Sequence, residues 1–95
     1  MPVADKFVRL EGVDRSEEEQ LVIYATLRNW RNLDTDTRAE IRALVADIAG
    51  YRDLGRALFE FLTTDMTFQA AVLRYTIPER VLRDARREFY RRWQR

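Results

Sequence analysis

Apolar positions recur along most of this chain at the three-and-four spacing of amphipathic helices, and polar punctuation separates the runs. Ser16-Glu17-Glu18-Glu19 reads as a capping box, with the Ser16 hydroxyl and the Glu19 carboxylate each taking up a backbone amide at a helix start. The three glutamates also complement the positive end of the helix dipole. From there the pattern predicts a helix to about Leu33, with Ile23, Leu27 and Trp30 inward. Asp34-Thr35-Asp36-Thr37 interrupts it, because short polar side chains bond their own backbone. Thr37 and Glu40 have the spacing of a second capping box, and Ile41, Leu44, Val45 and Ile48 follow as the stripe of a second helix closed by Gly50.

A third helix is predicted over roughly 52–62 on Leu54, Leu58, Phe61 and Leu62, and a fourth over 66–76 on Phe68, Val72 and Tyr75, capped by Thr63-Thr64-Asp65. Ile77 precedes a proline and marks a corner; Pro78 suits the first turn of a last helix, and Thr76 and Glu79 have capping-box spacing across it. Leu82, Ala85, Phe89 and Trp93 form the stripe of that last helix, which runs to about Trp93. Ahead of all five helices, residues 1–13 read as an N-terminal arm, Lys6 to Leu10 having the composition of a short strand or docked turn. The predicted fold is therefore all-α: a compact bundle of about five short helices over 14–95, preceded by that arm.

Composition narrows the chemistry. Ninety-five residues make one domain. There is no Cys, which rules out disulfide staples, and no His, which removes the commonest general base and metal ligand. Ser16, the sole serine, is committed to a cap, and no glycine-rich loop offers a phosphate cradle. Acidic residues fall on caps and polar faces; Glu60, between Phe59 and Phe61, points away from its helix's stripe and reads as a solvated residue, and Asp47 falls on a flank. Neither a catalytic centre, a metal site nor a cofactor site is expected. The longest apolar run, residues 21–25, is far short of the ~20 residues of a membrane span, and the start of the chain has no apolar core of signal-peptide length. A cytoplasmic protein without membrane contact is the expectation.

Charge changes the picture more than composition does. The net charge is +1. Residues 1–37 hold five basic and eight acidic side chains, whereas 78–95 hold seven arginines against three acids, so the chain is acidic at the front and basic at the tail. Sixteen of the seventeen basic residues are Arg. Arginine favours bidentate phosphate contacts, although GC-rich codon usage alone produces the same ratio.

At roughly 100° per residue, Arg80, Arg83, Arg87 and Arg91 share a narrow sector opposite the apolar stripe. Arg86 and Arg92 border the stripe, Arg95 extends the row, and Tyr90 reads as an exposed aromatic beside it. Such a ridge, ~15 Å long, suits nucleic-acid phosphates, an acidic protein or an anionic lipid surface, the last disfavoured because the core claims the apolar stripe. A solvated helix that pairs with itself gives much the same pattern, since Glu79–Arg83, Asp84–Arg87 and Glu88–Arg92 stand in the favourable acid-first order. On helix two, Ala39, Ala43 and Ala46 form a small-residue face that suits close approach of a neighbour or a second subunit. Helices three and four have helix-turn-helix spacing, but the second is poor in basic residues and the turn lacks a distinctive glycine. The function expected from these features is a non-enzymatic binding module that contacts nucleic-acid phosphates without base specificity, with a protein–protein adaptor or inhibitor as the alternative.

Overall fold

The computed structural model describes residues 7–94. Lys6 and the earlier part of the expected arm, and Arg95 at the end of the basic row, lie outside the described residues. Among the described residues there are five α-helices and no strand. They are α1 (Glu17–Arg28), α2 (Thr35–Ala49), α3 (Asp53–Thr63), α4 (Phe68–Tyr75) and α5 (Glu79–Arg92).

Helix α1 begins at the expected capping box: Glu19 N donates to Ser16 Oγ at 3.1 Å and Ser16 N to Glu19 Oε1 at 2.9 Å. It ends earlier than the hydrophobic pattern predicts. The chain tightens there into a single 3₁₀ turn, Trp30–Asn32, with Asn32 N donating to Asn29 O at 3.0 Å and Leu33 N to Trp30 O at 3.2 Å, while Asn32 Nδ2 bonds Asn29 Oδ1 at 2.6 Å across it. Three caps are also placed differently from expectation. Asp34, not Thr37, takes the N-cap geometry of α2, and Thr37 is buried one turn inside the helix. For α4 the cap is Thr67, whose hydroxyl accepts from Ala70 N. Thr76 caps no following helix; it closes α4 in the left-handed conformation (φ +52°), which lets Ile77 N reach Val72 O and drops Ile77 into the core. At the first two starts several adjacent residues could cap; at the third, burial of Ile77 fixes the corner and Pro78 stands at the N-cap of α5 without a side-chain cap.

Helix α3 is the hub and touches all four others. Leu58 on α3, Leu27 on α1, Ile41 on α2 and Leu82 and Phe89 on α5 are fully buried together. The α5 stripe of Leu82, Ala85, Phe89 and Trp93 is inward throughout, as its periodicity predicts. On α4 the fully buried residue is Ala71, with Phe68, Val72 and Tyr75 packed half-buried at its sides. Helices α2 and α3 meet through a tight corner: a Cβ on Gly55 would overlap the carbonyl of Gly50.

The lead-in, residues 7–16, has no regular secondary structure, yet Leu10 and Val13 are core residues. Gln20 holds it. This fully buried side chain accepts from Leu10 N at 2.8 Å and donates to the carbonyls of Leu10 and Arg15, both at 3.3 Å. Arg15 then reaches the far end of α5, its Nε donating to Tyr90 O at 2.8 Å and its Nη2 to Trp93 O at 2.5 Å. A guanidinium thus satisfies carbonyls that a helix C-terminus leaves without partners.

Candidate functional site

The lead-in lies against α5, and this contact organises the arginines. Arg87 Nε donates to Glu11 O at 2.8 Å, and the positive φ of Gly12 turns the chain beside the Arg87 side chain. Between the two segments is a hollow of about 350 Å³ bordered by Arg9, Arg83, Arg86 and Arg87, with Glu11 and Glu79 as its acids and Phe68 also lining it.

The expected basic row is present on the surface of α5, and most of its heads are engaged. Arg83 Nη2 meets Glu79 at 2.6 Å, Arg87 Nη1 meets Asp84 at 3.3 Å, and Arg91 makes a two-pronged pair with Glu88 at 2.5 and 3.0 Å. The last contact lowers the Glu88 pKa and raises that of Arg91, in each case chiefly through the shared hydrogen bond. Arg92 crosses to α2, where Asp47 receives it at 2.6 Å. Arg80 is exposed and has no ion pair among the described residues. Exposed pairs of this kind contribute only ~0–1 kcal/mol each.

Two residues of the expected face belong elsewhere. Tyr90 is not an exposed aromatic: it is 5% exposed and packed edge-on to Phe89 at 6.4 Å. Burial pushes its phenol pKa up to about 12. Arg86 leaves the row and turns inward, its guanidinium 5.4 Å from the Phe61 ring centroid and 5.8 Å from that of Phe68. Burial, the largest cause, lowers its pKa. The buried side of α5 is broader than periodicity suggests: Arg86 lies against rings of α3 and α4, and Tyr90 shares a cavity with Tyr24 and Arg28 of α1. Glu60 likewise is not simply solvated. Its side chain is 27% exposed, it accepts the Tyr75 hydroxyl at 2.5 Å, and Arg74 stands 3.5 Å away. That hydrogen bond is the main reason the Tyr75 pKa is raised.

Sequence reasoning passed over Arg28. From the last turn of α1 it gives Nη1 to Phe61 O at 3.1 Å, satisfying a carbonyl in the final turn of α3, and its head lies 4.9 Å from the Tyr24 ring centroid. The one signal for it was its position, four residues after Tyr24 at the border of the apolar stripe. On α2, Ala39 and Ala43 are exposed, and Ala46 is half-buried beside a shallow hollow with Tyr51 and Phe59. No described helix is long and apolar enough to cross a membrane. No family model, curated protein or solved structure matches the chain.

Proposed function

We propose that this protein is a small non-enzymatic binding module that grips nucleic-acid phosphates through the outer face of α5 and the adjoining lead-in, without reading bases, as a subunit of a nucleoprotein complex. One observation carries this reading: Arg9, Arg83 and Arg87 border a single hollow, and Arg80, one turn before Arg83 on α5, has no described carboxylate partner. Guanidinium forks match phosphate oxygens in pairs. The pairs that Arg83 and Arg87 make with Glu79 and Asp84 are solvent-exposed and weak, so exchanging a carboxylate for a phosphate costs little.

Fluorescence anisotropy with unrelated single- and double-stranded oligonucleotides tests the reading. Affinities should be alike across sequences and fall as salt rises. Absence of binding at low salt, or strong preference for one sequence, contradicts it.

A second reading is a protein–protein adaptor that binds an acidic partner or self-associates. The observation in its favour is apolar exposure beside mixed charge: Leu73 on α4 is 77% exposed and Val81 on α5 42%, while Ala39 and Ala43 lie open on α2. A concentration-dependent dimer in sedimentation, lost in Ala43→Glu, supports this alternative.

A further inference from the structure

Arg86 and Phe68 also line a second cavity, of about 340 Å³, set among α1, α3, α4 and α5. Its walls are the rings of Tyr24, Phe61, Phe68 and Tyr90, and two guanidinium groups, Arg28 and Arg86, face it. Both heads lie against the same Phe61 ring, at 5.9 and 5.4 Å from its centroid. No described carboxylate stands in an ion pair with either, and Asp65, which also lines the cavity, is itself engaged in an interaction. The Nε atoms of both are buried with no hydrogen-bond acceptor among the described residues.

This arrangement is costly as it stands. Guanidinium groups drawn out of water are ordinarily paired with an anion, and here two half-buried heads of the same sign face one largely apolar cavity and repel each other. Aromatic faces offset part of that cost through cation–π attraction, but they accept no N–H hydrogen bond in the guanidinium plane. We propose that this cavity is a binding site for a small organic oxyanion carried on a flat apolar body, its charged oxygens received by Arg28 and Arg86 and its ring stacked among Tyr24, Phe61 and Phe68. The volume is at the small end of ligand pockets, which span ~300–1,000 Å³, and fits a single-ring ligand. The inference does not depend on the nucleic-acid reading, because Arg9, Arg80, Arg83 and Arg87 are not among the residues that enclose this cavity.

Calorimetric titration and thermal unfolding of the whole chain test it, with benzoate, phenyl phosphate, inorganic phosphate and benzyl alcohol as probes. Benzoate or phenyl phosphate should bind saturably at millimolar concentration or below and raise Tm. Benzyl alcohol, which lacks the charge, and inorganic phosphate, which lacks the ring, should bind at least tenfold more weakly. Whichever of the two aromatic anions binds more tightly identifies the oxyanion. Arg86→Met removes the half-buried charge while keeping the bulk: the variant should unfold at the same Tm as the parent or higher, and lose at least tenfold in anion affinity. Arg28→Lys, which keeps a cation but loses the fork, provides the same comparison should Arg86→Met not fold, again with at least a tenfold loss. Failure of both aromatic anions to bind, or undiminished affinity in the variant tested, overturns the proposal.

Discussion

At the scale of single residues, the side chains that matter most are polar ones inside the fold. Gln20 is fully buried because it replaces a missing strand partner for the lead-in, taking the Leu10 amide and carbonyl together. Gln20→Leu keeps most of the volume but leaves the Leu10 N–H without an acceptor, so it should cost about 1–3 kcal/mol and speed hydrogen exchange at Leu10. Chemical denaturation and amide exchange check the two effects. Tyr90 supplies a pH signature. Its folded-state pKa of about 12 lies above the ordinary phenol value of 10.0, so the neutral phenol is favoured by folding. The contribution is full below pH 10 and is lost as pH rises from there through 12, in total up to ~2–3 kcal/mol. Parent stability should therefore fall more steeply over that interval than that of Tyr90→Phe; parallel curves contradict the burial argument. Neither residue was legible in advance. A glutamine on the edge of an apolar stripe looks like a surface residue, and a helical wheel gives a direction without saying how wide a sector the rest of the chain covers.

At the scale of elements, sequence legibility was uneven for a physical reason. Periodic signals survived: α5's buried stripe and the Ser16 capping box are where the pattern puts them, because each rests on residues with a single good alternative. Cap positions within Asp34–Thr37 and Thr63–Thr67 did not, since several adjacent residues have equal capping chemistry and tertiary packing selects one. Gly55 shows how packing reverses a local rule. In a helix interior Gly→Ala ordinarily stabilises, by up to ~1 kcal/mol. Here the added methyl meets the Gly50 carbonyl where α2 turns into α3, so Gly55→Ala should instead destabilise by about 1–3 kcal/mol. A lowered Tm confirms the close approach, and a raised one contradicts it.

At the scale of the whole molecule, the linear polarity of the chain, acidic in front and basic behind, is folded back on itself. The lead-in packs on α5, Arg15 reaches across to that helix's C-terminal carbonyls, and Arg92 finds Asp47 on α2. What remains outward is a basic row interleaved with its own acids, plus the hollow to which Arg9 contributes. The row itself was legible from helical spacing. The hollow was not, because an irregular segment carries no period from which its docking can be read. Phosphate gripping by this surface is tested most directly by the dependence of oligonucleotide affinity on salt in the parent and in Arg83→Gln/Arg87→Gln/Arg91→Gln. With about 0.7–0.9 of log–log slope for each phosphate contact, the triple variant should bind more weakly and with a slope shallower by roughly two units or more. Equal slope and equal affinity in parent and variant would contradict it.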